Sequence, residues 1–188
     1  MAEFKLEARP VLGGFDRTFG DTRLRELTDL AAVAVSVPMG GDDALEKALK
    51  AAYGGGIPKV GESYTSSDGA RVVAFTRDQM LILWDHAPHG GVATIAGKLG
   101  DAGYHVEQTS NWVFLELDGP LARAALARLT ALNLKDAAFP VDRAERTVME
   151  HMGALVVRTG ADAFLLASAS SSGASFAHAV ETSLDWVS

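Results

Sequence analysis

One order of periodic segments occurs twice along this chain, near 30–100 and again near 111–187: strand, helix, hairpin, helix. In the first occurrence Val33, Val35 and Val37 alternate with Ala32, Ala34 and Ser36, the period of two that marks a strand packed on one face. Gly40-Gly41-Asp42-Asp43 then opens a helix. Ala44, Leu45, Ala48, Leu49 and Ala52 share one side of it, and Asp43, Glu46, Lys47 and Lys50 the other. The acidic pair suits the positive end of the helix dipole, and Gly54 offers a left-handed stop. A Gly-, Pro- and Ser-rich loop spans 54–70. Arg71–Thr76 and Gln79–Trp84 form a hairpin around Arg77-Asp78, and Val92, Ile95, Ala96 and Leu99 mark a short helix closed by Gly100. Tyr104–Gln108 reads as a further edge strand.

The second occurrence begins with the strand Trp112–Leu117. Asp118-Gly119-Pro120 starts a helix, with proline where its missing N–H costs nothing. Leu121, Ala122, Ala125, Leu126, Leu129 and Leu132 are its buried side. Ala154–Arg158 and Ala163–Ser168 make the hairpin, and Phe176, Ala177, Val180, Leu184 and Val187 line the last helix. Each unit builds an antiparallel sheet with helices on one face, a ferredoxin-like α+β arrangement. The other sheet face must be covered by the second sheet or by another chain. Residues 1–22 carry Pro10, Gly13, Gly14 and Gly20 without a sustained period and are expected to form an extended N-terminal arm. Residues 23–188 are expected to form a single α+β domain of two similar units, about 23–108 and 109–188.

The 188 residues are 48% apolar and 22% charged, enough for a real core and ordinary for a folded domain. A net charge of −7 gives no electrostatic reason to expect nucleic acid or an anionic membrane as partner. With no Cys, disulfides, thiolate metal sites, iron–sulfur clusters and a Cys nucleophile are excluded. The first residues, acidic at Glu3 and Glu7, do not resemble a signal peptide, and no stretch has the roughly twenty apolar residues of a membrane span. A cytoplasmic location is expected.

No constellation of residues argues for catalysis by this chain. Asp85, His86 and His89 could supply three metal ligands, but the spacing suits a polar loop, and no metal site is expected. Gly54-Gly55-Gly56 follows a helix instead of a strand and has no Gly-Lys-Ser/Thr companion, so no phosphate cradle is expected. The serines from Ser168 to Ser175 lack a nucleophile elbow and are expected to cap the last helix. Asp42/Asp43 and Glu145 near Glu150 read as solvated charges. The unusual features are aromatic. Trp112, Phe114 and Glu116 share one side of their strand, opposite Val113, Leu115 and Leu117, and Trp186 lies off the apolar stripe of the last helix. Trp112, Phe114 and Trp186 are the candidates for a partner interface. Packing within the chain is the alternative, weighed equally for Trp112 and Phe114.

A set of segments then carries a family resemblance. Arg77-Asp78-Gln79-Met80-Leu81-Ile82-Leu83, Gln108-Thr109-Ser110-Asn111-Trp112-Val113 and Gly119-Pro120-Leu121-Ala122-Arg123-Ala124-Ala125-Leu126 come first. Ala131-Leu132-Asn133-Leu134, Ala138-Phe139-Pro140, Arg146-Thr147-Val148-Met149-Glu150-His151 and Phe176-Ala177-His178-Ala179-Val180-Glu181-Thr182-Ser183 follow. In that order they resemble the gamma subunit of bacterial heterotetrameric sarcosine oxidase, from about Leu24 onward. The resemblance implies a fold related to the folate-binding aminomethyltransferases. It implies a complex with alpha, beta and delta chains that demethylates sarcosine oxidatively to glycine. Hydrogen peroxide is the second product, and the removed carbon goes to tetrahydrofolate or is released as formaldehyde. It places FAD, FMN, NAD and folate on the alpha and beta chains and zinc on delta, with no catalytic, cofactor or metal residue on gamma. Leu132-Asn133-Leu134 departs from the family's Leu-Asp-Leu. That departure leaves room for a relative acting on another N-methyl amino acid, such as N-methylglutamate dehydrogenase.

Two readings of other classes compete. A stand-alone folate-dependent methyl-transfer enzyme needs further domains that 188 residues do not supply. A free-standing regulatory module would bind a small ligand between its sheets.

Overall fold

The computed structural model describes residues 9–85 and 90–188. In chain order its strands and helices are β1 (Asp16–Phe19), β2 (Thr22–Glu26), β3 (Leu30–Ser36), α1 (Asp42–Tyr53), β4 (Ser63–Thr65), β5 (Arg71–Ala74) and β6 (Gln79–Asp85). They continue with α2 (Gly91–Leu99), β7 (Tyr104–Glu107), β8 (Trp112–Asp118), α3 (Ala122–Leu129), β9 (Ala144–Met149), β10 (Met152–Arg158), β11 (Ala163–Ala169) and α4 (Gly173–Val187).

The strand–helix–hairpin–helix order is present in both units. In the first, β3, α1, β5, β6, α2 and β7 come in this order, with β4 inserted between α1 and β5, and the sheet runs β4-β5-β6-β3-β7. Strands one, two, three and four of the unit thus lie in the spatial order four-one-three-two, all antiparallel, which is the ferredoxin-like arrangement. In the second, β8, α3, β10, β11 and α4 repeat the first three strands and both helices. Its sheet runs β1-β2-β8-β11-β10-β9, so the fourth-strand place beside β8 is taken by β2, from the other end of the chain.

That is a correction to the expected arm. From Asp16 on, the segment is a hairpin of the second sheet, turning between Phe19 and Thr22 through Gly20 at φ 56°. The hairpin escapes a hydrophobic reading because its buried apolar residues, Phe19 and Leu24, are isolated and the other buried positions of β2 are Thr22 and Glu26. The start of α3 also differs. The helix begins at Ala122, two residues after Pro120. Gly119, at φ 132°, packs so tightly on the Asp21–Thr22 backbone that a Cβ there would lie 2.5 Å from Asp21 O. Pro120 and Leu121 are used in turning away from that contact.

Three apolar layers hold the molecule together. Val33, Val35, Val72, Met80 and Ile82 meet Leu45, Leu49, Ile95 and Leu99 of α1 and α2. Leu115, Leu117, Val156, Phe164 and Leu166 meet Leu126, Phe176, Val180 and Leu184 of α3 and α4. Between the sheets, Ala32, Ala34, Val73, Leu81 and Leu83 face Phe114, Leu155, Val157, Leu165 and Ala167. The second face of each sheet is therefore covered by the other sheet, giving helices, sheet, sheet, helices. Each strand alternates between two apolar layers, which explains the near-continuous apolar runs of β3, β6, β8 and β11.

Local signals are met in part. Gly54 ends α1 in the left-handed conformation at φ 77°, its N–H bonded to Lys50 O. The serine cluster does not cap α4: no side chain bonds the helix start. Ser172 Oγ donates to Ala169 O at 3.0 Å and Ser168 Oγ to Gly153 O at 2.9 Å, tying β11 to the 3-10 turn and to β10 instead. No helix among the described residues is long and apolar enough to cross a membrane.

Candidate functional site

The three aromatic candidates fall in different environments. Phe114 is 3% exposed and belongs to the layer between the sheets, so it is not available to a partner. Its place in the partner-interface set is corrected: the second face of β8 is covered by this chain's own first sheet. Trp112, at the start of β8, is half-buried at the margin of the same layer. It meets Phe75 edge-on at 5.5 Å between ring centroids, and the Arg146 guanidinium lies 4.4 Å over the Phe75 ring. Trp186, near the end of α4, is 72% exposed with the Arg128 guanidinium of α3 5.8 Å from its ring. A solvent-facing Trp–Arg pair on the outer helix layer has the composition of an interface anchor.

The glycine run after α1 is filled by the chain itself. Glu46 Oε2 accepts the Ile57 N–H at 2.6 Å, and the Glu46 carboxylate occupies the space a side chain at Gly56 would need. The Lys50 ammonium at 2.8 Å and this backbone N–H hold the Glu46 carboxyl below its usual range. Gly55 lies against the Tyr64 ring, whose hydroxyl donates to Gly55 O at 2.9 Å. The anion at this loop is the protein's own carboxylate, and the loop offers no fit to a cofactor phosphate. Of the loop weighed for metal binding, Asp85 ends β6, while His86 and His89 lie outside the described residues. Among the described residues no group of three or more His, Cys, Asp or Glu is placed to hold a metal ion.

A cleft of about 420 Å³ opens where the edges of the two sheets meet, lined by Ile57, Pro58, Tyr64, Pro140, Asp142 and Arg143 among others. Its floor is a backbone seam: Ser63 N–H donates to Asp142 O at 2.8 Å and Ala144 N–H to Gly61 O at 3.0 Å. Asp142 holds φ 68°, a conformation Asp tolerates better than most residues. Its carboxylate accepts from Arg71 Nη1 at 2.7 Å, and the same nitrogen reaches Ser63 Oγ at 3.1 Å. Arg143 is paired with Glu145. Asp142 and Arg143 are thus each paired with a charge beside the cleft, Glu62 accepts the Lys59 N–H at 3.3 Å, and the arrangement serves to lock sheet edge to sheet edge.

A second polar lock adjoins this cleft, where the Arg158 O accepts the Asp142 N–H and the Arg158 N–H donates to Arg143 O, both at 2.9 Å. Arg158, almost fully buried, donates to Phe139 O, Gly160 O and Ala161 O at 2.7–3.0 Å and pairs with Asp136 at 2.8 Å. Arg123 reaches Asp136 at 2.7 Å and Asp162 at 3.1 Å. The two guanidiniums hold the Asp136 carboxyl below its ordinary value.

Phe75, Arg146 and Arg128, which complete the two aromatic clusters, were not foreseen from the sequence. Each lies far along the chain from its partner ring, and no periodic signal links them.

No family model matches the chain. Curated relatives do. Sarcosine oxidase subunit gamma of Arthrobacter sp is 34% identical over 149 residues, 76% of this chain and 70% of that protein. The protein of the same name from Corynebacterium sp. (strain P-1) is 34% identical over 148 residues, with the same coverage. The chain belongs to the sarcosine oxidase gamma-subunit family. A solved relative agrees: a chain of the heterotetrameric sarcosine oxidase from Corynebacterium sp. U-96, in complex with pyrrole 2-carboxylate, superposes with a TM-score of 0.77 at 25% identity. That match covers 91% of this chain and 87% of the other. The glycine cleavage system aminomethyltransferase T from Bartonella henselae shares the fold, at a TM-score of 0.60 and 16% identity over 85% of this chain and 45% of that one. The gamma-subunit fold is thus the aminomethyltransferase-like double unit expected from the resemblance.

Proposed function

We propose that this gamma-type chain works as an architectural subunit of a sarcosine oxidase-like flavoenzyme complex. The complex oxidises the N-methyl group of sarcosine, yields glycine, and passes the electron pair through flavin to oxygen, giving hydrogen peroxide. The carbon leaves on tetrahydrofolate or as formaldehyde. Alpha, beta and delta chains are the partners, in the cytoplasm, and they carry FAD, FMN, NAD, folate and zinc. This chain supplies no reacting group and contributes surface.

The observation that carries this reading is the 34% identity to gamma subunits over about three quarters of the chain. The site chemistry supports it: the glycine loop is occupied by Glu46, and Asp142 and Arg143 of the cleft are held in ion pairs with Arg71 and Glu145 respectively. The Asn133 departure does not move the substrate assignment. Asn133 Oδ1 accepts the Lys135 N–H at 3.2 Å, a turn bond that an Asp carboxylate makes equally well.

The test is co-expression with the two large flavin-binding chains and the small fourth chain of the same organism. Recovery of a yellow complex containing this chain, with sarcosine-dependent peroxide formation, is expected. Purified alone, the chain should be colourless and without oxidase activity. A stoichiometric flavin band or sarcosine-dependent peroxide from the lone chain contradicts the architectural role.

A further inference from the structure

The two sheets are built on one plan and finished differently. In the second sheet the strand beside β8 is β2, and β2 is covered in turn by β1. In the first sheet the equivalent strand beside β3 is β7, and no strand among the described residues lies beyond it. The bond from Gln108 N–H to Ala32 O at 2.9 Å fixes which way the edge groups point. In an antiparallel pair these directions alternate, so Tyr104, Val106 and Gln108 turn their N–H groups toward β3. His105 and Glu107 turn theirs outward.

Open edges are blunted by shortness, charge, Pro or a bulge. Tyr104-His105-Val106-Glu107 is short and ends in Glu107, but it has no Lys, Pro or bulge and pairs with β3 in unbroken register. Two large apolar side chains stand on it, Tyr104 at 65% and Val106 at 50% exposure. They lie opposite Ser36 and Ala34, on the side that faces the second sheet, one strand beyond where that sheet gives cover. Two of the other sheet margins are closed: β1 presents Asp16 and Arg17, paired with Arg23 and Glu181, and β4 is sealed by the seam to residues 142–144. β9, at the end of the second sheet, carries Glu145 and Arg146 beside an exposed Val148.

We propose that β7 is a docking edge on which a partner subunit lays an extended segment as an antiparallel strand. That segment takes in the first sheet the place β1 takes in the second. It bonds the outward N–H and C=O groups of His105 and Glu107, and its alternate side chains on the Tyr104–Val106 side are apolar. The inference rests on the chain being a subunit, and it adds where and how a partner is held.

The experiment uses the co-expressed complex with the tag on a flavin-bearing chain. Amide exchange is followed at single residues in the lone chain and in the complex. The His105 and Glu107 amides should slow by at least about tenfold on assembly, while Val106 and Gln108 are protected in both states. His105→Pro removes one outward N–H without touching the bonds to β3, and Val106→Lys puts a charge on the contact side without altering the backbone. Both variants should keep the wild-type circular dichroism and lose most of their recovery with the tagged chain. Unchanged exchange at His105 and Glu107 in an assembled wild-type complex, with Val106→Lys fully retained, overturns the docking edge and leaves the subunit reading intact. Protection of these amides in a dimer of the lone chain overturns it in favour of a second copy. A wild-type chain that never assembles overturns the subunit reading itself.

Discussion

The Thr22 hydroxyl accepts the Leu121 N–H at 2.9 Å, so the start of α3 is held by a residue of β2 99 positions earlier in the chain. No side chain of α3's own N-terminal turn makes that cap. The hairpin that replaces the fourth strand therefore also orders the first helix of the second unit. Thr22 is fully buried, so Thr22→Val leaves the Leu121 N–H without an acceptor or water. A loss of about 1 to 2 kcal/mol is expected, and Thr22→Ser should recover most of it, read from urea midpoints.

Phe114 and Trp186 should separate folding from assembly. Phe114→Ala opens a hole between the sheets and is expected to cost about 3 to 5 kcal/mol of stability. Trp186→Ala removes an exposed ring and should shift the isolated chain's stability by less than about 0.5 kcal/mol. The same change should weaken retention in the complex. Denaturant titration of both variants beside co-purification checks this, and a Trp186→Ala chain that unfolds easily but assembles normally refutes it.

Much of this fold is written in local periods. The strand and helix patterns at 33–37, 44–52, 112–117 and 121–129 mark both units because each element carries its own apolar alternation. The β1–β2 hairpin is illegible for the opposite reason. Its inward positions are Phe19, Thr22, Leu24 and Glu26, and the polar groups of Thr22 and Glu26 bond Leu121 and Leu12, 99 and 14 positions away. Phe114 shows a different limit. A strand apolar on both faces demands two covers, and the sequence does not say whether the second comes from the same chain. The aromatic clusters are legible only as lone rings, since Arg128 and Arg146 reach theirs through tertiary packing.

Glu26 anchors the beginning of the described chain. Its two carboxylate oxygens accept the Leu12 N–H at 2.9 Å and the Gly14 N–H at 2.8 Å from a buried position. Glu26→Ala should cost about 1.5 to 3 kcal/mol, as for bonds to a charged acceptor. It should also expose the chain before Phe15 to limited proteolysis, with cleavage there much faster than in the wild type.

Alkaline pH should destabilise the first unit. Burial, with Glu46 nearby, pushes the Tyr64 phenol up to about 12, and burial raises that of Tyr53 as well. Above the ordinary value of 10.0 the unfolded phenols lose protons while the folded ones keep them. The contribution is therefore complete below 10.0 and is lost as pH climbs toward about 12. Tyr53 Oη is buried without a hydrogen-bond partner, so Tyr53→Phe should change neutral stability by less than about 1 kcal/mol. It should also flatten the alkaline loss. Urea midpoints across the alkaline range, with phenolate absorbance alongside, make the comparison.

The most direct test of the subunit role is native mass spectrometry of the assembly recovered through a tag on this chain, after co-expression with the flavin-bearing and small chains. One copy of the 19.8 kDa chain in a four-chain, flavin-containing complex is the expected mass. The tagged chain recovered only by itself, or as multiples of itself, contradicts it.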